Sequence, residues 1–422
     1  MLGLKMHILF LTDNFPPEVN APATRTFEHC REWVKQGHRV TVITGAPNFP
    51  TGKVFEGYSN HFRSRETVEG IDVIRVWTYI TANEGFLRRT IDYASFMVSA
   101  TQASIRVRDV DVIVGTSPQL FTPCAAYMAS VLKQRPYVFE LRDLWPESIR
   151  AVGAMTDSRI LGILEKLELS LYRRAAHVVS VTHAFRDNLI GRGVPPDKIS
   201  VTTNGADLAR FSPIPRDETL AASLGLSNKV VVGYVGTHGM AHALDTLLRA
   251  AERLKENPDA RDVRFMFLGD GAEKASLKAL AAERNLDNVF FLDSVPRDDV
   301  VRYWSLVDLA AIHLKRTPLF ETVIPSKLFE CMAMGVPVLH GVAGESARIV
   351  EREECGVLFE PENADDLADQ ILKLVTDPER RKHLSQRGRE AAARYDRAAL
   401  ALDMLRALEA VAKRHYAVSI AV

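Results

Sequence analysis

Only four cysteines occur in 422 residues, Cys30, Cys124, Cys331 and Cys355, and no two of them form a CxxC pair. That argues against a zinc site and a disulfide framework, so a reducing compartment fits the chain. Long apolar runs are absent too: no stretch reaches the ~18 residues that a membrane-spanning helix needs. The N-terminal apolar run in "MLGLKMHILFLTDNFPPE" is short and is cut by Asp13, so it reads as a buried strand and not as a secretory leader. Neither sign of charge is in excess. The 53 Lys plus Arg balance 53 Asp plus Glu, which gives no global reason to expect nucleic acid as a partner. GxGxxG and GxxxxGK[ST] are both missing, and no His, Cys and Asp cluster has metal-ligand spacing. A dinucleotide, a phosphate-loop nucleotide and a protein-bound catalytic metal are therefore not expected.

What is present is ordinary soluble-globular material, 47% hydrophobic and 25% charged, enough for two domains with a core each. Short β-branched runs alternate with helical patterns. "HILFLT", "RVTVIT", "IDVIRVW", "VDVIVG", "YVFEL", "HVVSVT" and "ISVTT" read as strands, with helices over 24–36, 86–108, 119–134, 158–175 and 184–191. The turn-rich "NGADLARFSPIPRDE" (204–218) interrupts this rhythm, which resumes with "VVVGYVG", "VRFMFLG", "NVFFLD", "LAAIHL" and "VPVLH". The expectation is an α/β chain of two doubly wound, Rossmann-like domains facing across a cleft. Their boundaries are set at 1–208 and 209–395, and 396–422 is a last helix expected to return to the N-terminal domain.

In open parallel sheets ligands bind beyond the carboxyl ends of the strands. That rule selects "DNFPPEVNAPATR" with Arg25, "TSP", "RDLWPES" with Asp143 and Glu147, and "THA" with His183 in the first half. In the second half it selects "GTHGMAH" with Gly236, His238 and Gly239, "GDGA" with Gly269, "DSVP", "KRTPLFETVIPSK" and "HGVAGE". Glycines after a strand let backbone approach a phosphate, or simply make a turn. The acidic pair Asp143 and Glu147 reads as a solvated loop or as groups that hold acceptor hydroxyls, with Asp143 able to take a proton. His183 and His238 read as structural histidines or as ligand contacts.

"PSKLFECMAMGVPV" holds an anomaly. With Ser326 as N-cap, Lys327 occupies the first helical position, where the helix dipole disfavours a cation by a few tenths of a kcal/mol. Either the lysine is solvated and tolerates the penalty, or an anion from outside the chain accompanies it. Lys315, Arg316 and Lys327 bracket one segment that would neutralise a diphosphate. Glu330, one turn further on, could accept two hydroxyl hydrogen bonds, as a ribose offers.

"LTDNFPPEVNAPATRTFEHCREWVKQGHRVTVITGAPNFPTGKVFEGY", "ELRDLWPES", "VTTNGADLARF", "GTHGMAHALDTLLRA" and "IPSKLFECMAMGVPV" together resemble the retaining GT-B glycosyltransferases of glycosyltransferase family 4. The likeness is to the bacterial branch that transfers N-acetyl-fucosamine or related sugars in surface-polysaccharide assembly. The resemblance implies a nucleotide-sugar donor, UDP-linked, bound by the second domain. Lys327 would contact its diphosphate, Glu330 its ribose and Val295 the neighbourhood of its base, and Asn20 would approach the diphosphate from the first domain. Two departures stand out: Thr322 replaces the first glutamate of the family's pair, with Glu321 one residue away, and Thr237 and His242 replace an expected arginine and lysine.

The resemblance implies a cytoplasmic hexosyltransferase-type enzyme with no cofactor besides the donor and no metal, acting on a lipid-linked saccharide. Asp143, Lys327 and Glu330 would carry the chemistry. The stretch 84–100, with Phe86, Leu87, Ile91, Tyr93, Phe96 and Met97, could rest at the inner face of the membrane or pack on the sheet. A nucleotide-sugar 2-epimerase and a non-catalytic nucleotide-sugar-binding protein are the alternatives.

Overall fold

The computed structural model describes residues 5–49, 51–81, 86–145, 158–296 and 298–420. The chain divides into two units, Met1–Thr203 with Arg397–Val422, and Asn204–Asp396. The division falls ahead of 208 because Ala206 already belongs to the second unit. It bridges Asp396, and its N–H donates to the Tyr395 carbonyl.

The first unit runs β1 (His7–Leu11), α1 (Ala21–Lys35), β2 (Arg39–Gly45), β3 (Arg63–Val68), β4 (Ile71–Val76) and α2 (Phe86–Ile105). It continues with β5 (Val112–Thr116), α3 (Phe121–Lys133), β6 (Tyr137–Leu141), α4 (Ser158–Arg174), β7 (His177–Ser180), α5 (His183–Gly191) and β8 (Ile199–Val201). Strand order is β3-β4-β2-β1-β5-β6-β7-β8. All pairings are parallel except β3 with β4. Residues of β1, β5 and β6 are buried throughout, as strands covered on both faces must be.

β3 is the strand that hydrophobic patterning does not reveal. "RSRETV" contains one apolar residue, and no position of the strand is fully buried. Its signal is the turn that follows, Glu69–Gly70, where both residues have positive φ (46° and 82°), as a two-residue hairpin requires.

The last helix of the chain (Arg397–Ile420) packs on α1 within the first unit. The Trp33 indole N–H donates to the Ala401 carbonyl at 2.8 Å, and Arg397 pairs with buried Glu28. The Trp33 ring lies 6.1 Å from Phe10 on β1. Truncating such a fully buried tryptophan costs about 3–5 kcal/mol, so this contact fastens the C-terminal helix to the first unit.

The second unit opens with α6 (Glu218–Ser223) and alternates β9 (Val230–Val235), α7 (Asp245–Lys255), β10 (Val263–Leu268), α8 (Lys274–Glu283), β11 (Val289–Leu292), α9 (Val300–Trp304) and β12 (Leu309–His313). Then come α10 (Lys327–Met334), β13 (Val338–Gly341), α11 (Glu345–Glu353), β14 (Gly356–Leu358), α12 (Ala364–Val375) and α13 (Pro378–Ala392), which makes the last helix α14. The sheet is parallel in the order β11-β10-β9-β12-β13-β14. Connections leave β9 toward β11 and β12 toward β14, so the switch point lies between β9 and β12. α10 buries Leu328, Phe329, Cys331 and Met332, with Phe329 4.6 Å from the Tyr395 ring, and it ends at Gly335 with φ 70°. That inner face leaves Lys327 and Glu330 half-buried on the other side.

The four cysteines are free and buried, and no described helix is long and apolar enough to cross a membrane.

Candidate functional site

In the second unit the loops after β9 and β12 meet at the switch point. The Lys315 N–H donates to the Ala241 carbonyl at 2.9 Å, and the His313 Nδ1–H to the His242 carbonyl at 2.8 Å. His313 Nε2 accepts the Glu362 N–H at 2.8 Å, which fixes the ring as the neutral Nδ1–H tautomer.

Lys327 sits beneath the first of these loops. Its ammonium lies 3.8 Å from the centroid of the Tyr234 ring, a cation–π contact. No carboxylate comes within salt-bridge distance of it among the described residues. Desolvation pushes its pKa down to about 8, and Cys331 and Glu330 oppose the shift. Gly236, at φ 138°, closes over the amine, and a Cβ there would stand 2.9 Å from Lys327 Nζ. Gly269 is equally constrained, since its Cβ would fall 2.0 Å from the Gly236 carbonyl oxygen. The two glycines let the ends of β9 and β10 press together and leave backbone in front of the lysine. The Tyr234 hydroxyl donates to the Thr237 carbonyl at 2.7 Å and holds the loop in this position.

Several expected ligand groups are otherwise engaged. His238 is fully buried, its ring 5.8 Å from Tyr234 and close to Phe267 and Phe291, and burial with nearby Lys274 and Lys327 lowers its pKa to about 4. The ring is neutral and an aromatic pocket encloses it, but neither ring nitrogen has a hydrogen-bond partner among the described residues. Arg316 turns its guanidinium to Glu360 at 2.7 Å and its N–H to Glu362, so it does not join Lys327. Ser326 holds the cap position but has helical angles (φ −59°, ψ −29°) and makes no side-chain cap bond, so the expected serine cap is not formed.

Gly239 leads into the short turn Met240–His242, where burial and Lys327 lower the His242 pKa to about 3. A neutral imidazole therefore stands where the family pattern has a lysine. Thr322 donates its hydroxyl to the Leu319 carbonyl at 2.6 Å, whereas Glu321 is exposed. Val295 is half-buried in the loop beyond β11.

In the first unit three loops converge at strand ends. Ser117 Oγ accepts the N–H groups of Arg142 (2.8 Å) and Asp143 (3.2 Å), joining "TSP" to "RDLW". The Arg142 guanidinium donates to the carbonyls of Ala21 and Pro22, joining both to the start of α1. Desolvation lowers its pKa to about 10. Asp143 is half-buried at this junction.

Asn20 caps α1: its carbonyl accepts the Ala23 N–H at 2.9 Å and its amide donates to Asn14 at 2.9 Å. Both ends of its side chain are thus used inside the loop. Arg25, expected to face an acceptor, is buried instead. It pairs with Glu140 at 2.9 Å and donates to the carbonyls of Thr202 and Thr203, because a cation inside this unit needs charge and acceptors around it. Burial alone would raise the Glu140 pKa, but Arg25 and Arg142 outweigh it and the net shift is downward. His183 is the exposed first residue of α5, beside the capping hydroxyl of Thr182. Glu147 lies outside the described residues, as do Glu84 and Gly85.

Residue patterns alone miss Tyr234, the platform under Lys327. Its only signal is a ring at an inward position of "VVVGYVG", next to the loop glycine. They also miss Lys274, which binds the carbonyls of Gly269 and Leu292 and the carboxylate of Asp293 at 2.6 Å, and so ties β10 to β11.

The comparisons with known proteins agree with this architecture. A family described as glycosyl transferase 4-like domain matches residues 20–205, and one described as glycosyl transferases group 1 matches 216–391. The Escherichia coli K12 protein WcaI, whose name describes a colanic acid biosynthesis glycosyl transferase, is 26% identical over 339 residues, covering 78% of this chain and 82% of its own. A D-inositol 3-phosphate glycosyltransferase of Saccharomonospora viridis is 30% identical over 208 residues, and the match spans 47% of each chain. Among solved structures, Anabaena Alr3699/HepE in complex with UDP and glucose superposes with a TM-score of 0.72 at 21% identity, covering 96% of this chain and 99% of its own. WaaG, a glycosyltransferase involved in lipopolysaccharide biosynthesis, superposes with a TM-score of 0.69 at 16% identity, covering 96% and 99%. With a glycosyl transferase family on each unit and the GT-B fold beneath both, the chain belongs to the GT-B glycosyltransferases.

Proposed function

We propose that this glycosyltransferase moves a sugar from a UDP-sugar to a hydroxyl of a lipid-linked glycan in surface-polysaccharide synthesis, with retention of configuration. The sugar is an N-acetylated amino or deoxyamino hexose, as the resemblance to the N-acetyl-fucosamine branch suggests. The observation that carries the donor half is Lys327: a half-buried cation with a lowered pKa and no carboxylate partner among the described residues, under a glycine loop at the switch point. An anion is what such a group lacks.

As the glycosidic bond breaks, negative charge grows on the departing diphosphate. The Lys327 ammonium, the Gly236 loop amides and the start of α10 stabilise it there. Glu330, one turn along, holds the ribose hydroxyls. The acceptor hydroxyl attacks from the face that the diphosphate leaves, guided by the leaving oxygen, and Asp143 binds or deprotonates the acceptor. No metal takes part in this scheme, so EDTA is expected to leave turnover unchanged. The name of the colanic acid relative supports the polysaccharide reading.

The deciding experiment incubates the protein with a panel of UDP-sugars, with and without polyprenyl-diphosphate-linked saccharides. Acceptor-dependent release of UDP supports transfer. Isomerisation of the donor without acceptor, or tight binding without turnover, refutes it and selects the epimerase or the binding protein.

A further inference from the structure

Among the described residues four aromatic side chains are exposed: Phe49, Phe62, Trp77 and Tyr79, at 44%, 64%, 40% and 42%. The other large exposed apolar side chains carry no ring, among them Ile91 on α2, whose Phe96 is buried. The face expected over 84–100 is thus split, with Phe96 inward and Ile91 outward.

The four rings gather at one corner of the first unit. β2 and β4 are parallel and β3 is antiparallel to β4, so the residues after β2, after β4 and before β3 share one end of the sheet. Arg63 pairs with Val76, which sets Phe62 opposite Trp77, and the Trp77 N–H donates to the Phe62 carbonyl at 3.4 Å. Side chains directly opposite each other on antiparallel strands point to the same side. Burial then alternates along the chain: Val76 and Thr78 are buried, Trp77 and Tyr79 are exposed. The two rings after β4 therefore turn outward together.

The corner is held from beneath. The Asn60 side chain donates to the Thr78 carbonyl at 2.7 Å and accepts its N–H at 3.2 Å. The Tyr79 N–H donates to Ser95 Oγ on α2 at 2.8 Å. Buried Arg75 donates to the carbonyls of Gly45 and Pro16, and buried Glu18 accepts the N–H groups of Asn48 and Phe49 at 2.9 Å each. These bonds join the loops after β1, β2 and β4, so the rings need little ordering when a ligand arrives.

Rings with polar tips suit a ligand that is apolar on one face and polar around its rim. A sugar ring is such a ligand: its face of C–H groups meets the negative face of an aromatic ring, and its hydroxyls stay at the edge. The indole N–H of Trp77 and the hydroxyl of Tyr79 have no partner among the described residues. Beyond Tyr79, the Asp92 carboxylate accepts the Thr81 N–H. The charges near half-buried Asp13 are the carboxylates of Asp92 and Glu18, with no cation among them. Carboxylates there accept sugar hydroxyls and repel anionic headgroups.

We propose that this corner is a subsite for saccharide units of the acceptor other than the one that reacts, so that the chain selects an oligosaccharide over a monosaccharide. The proposal rests on the glycan-acceptor reading for its purpose, but its test uses neither donor nor lipid.

The full chain is titrated calorimetrically with chitotetraose, with lipid-free oligosaccharides released from bacterial surface polysaccharides, and with the monosaccharides they contain. At least one oligosaccharide is expected to bind tenfold or more tightly than its monosaccharide. Phe62→Ala and Trp77→Ala should each weaken that binding roughly three- to tenfold, the loss of one stacking ring, with UDP affinity unchanged. Thermal melting confirms that both variants are folded. The proposal is overturned when no oligosaccharide binds better than its monosaccharide, or when both variants bind saccharide as the wild type does. Variants that keep saccharide binding but lose binding to phosphatidylcholine–phosphatidylglycerol vesicles give the corner to a bilayer and overturn it too. Acceptor-dependent UDP release that both variants retain leaves the transferase standing and removes the subsite. Saccharide binding that the variants lose supports the subsite even where no donor is turned over.

Discussion

Replacing Lys327 with methionine should make the protein more stable and blind to its donor. Burial lowers the lysine's pKa from its ordinary 10.5 to about 8. A displacement of that size corresponds to roughly 3 kcal/mol against the charged form in the folded state. The Tyr234 ring, 3.8 Å away, returns part of this; a cation–π contact contributes about 0.5–2 kcal/mol. Methionine fills nearly the same volume without the charge, so a net gain of roughly 1–2 kcal/mol is expected at neutral pH. For a unit of this size that raises the melting temperature by about 2–4 °C per kcal/mol.

The pH dependence identifies the cause. Because the folded pKa is lowered, the unfolded chain binds the extra proton between about pH 8 and 10.5. Wild-type stability contributed by this group therefore rises with pH across that window, and the advantage of the variant shrinks. In the same variant UDP affinity should fall about 10- to 150-fold, the loss of one charge-assisted hydrogen bond of roughly 1.5–3 kcal/mol. Thermal melting at neutral and alkaline pH, with calorimetric titration of UDP, reads both effects. A variant that is less stable than the wild type at neutral pH, or that binds UDP equally well, refutes the reasoning.

Gly236→Ala places a Cβ 2.9 Å from Lys327 Nζ at φ 138°; calorimetry should show UDP binding weakened by roughly tenfold or more, one charged contact's worth. The kcat/KM for the donor should decline above about pH 8, as the free protein's Lys327 loses its proton, and a flat profile up to pH 10 would exclude the amine. Arg25→Met leaves Glu140 buried without its nearest cation; denaturant melts should show a loss of roughly 3–5 kcal/mol, whereas an acceptor-contact role for Arg25 would leave stability untouched.

The strand-end rule selects loops but does not rank the residues within them. Position along the chain says that Arg25, His238 and Arg316 lie near strand ends, yet not which way each side chain turns. Arg25 is drawn inward by Glu140, which is more than a hundred residues away in sequence, and Arg316 outward by Glu360. Such partners come from other elements, so local pattern carries no trace of them. Lys327 was legible for the opposite reason. Its anomaly is local, a cation in the first turn of a helix, and a local penalty can be read from a local sequence.

By itself the sequence determined the two parallel α/β units, because strands buried on both faces must be nearly all apolar and their helices must alternate with them. It also singled out the strand-end loops as candidate sites and Lys327 as a cation out of place at the start of a helix. Only the tertiary structure decided that β3 pairs antiparallel through polar residues, that Tyr234 lies under Lys327, and that exposed rings from separate loops gather at one corner of the first sheet. These depend on groups distant in sequence being brought within a few ångströms, which patterning along one element does not record.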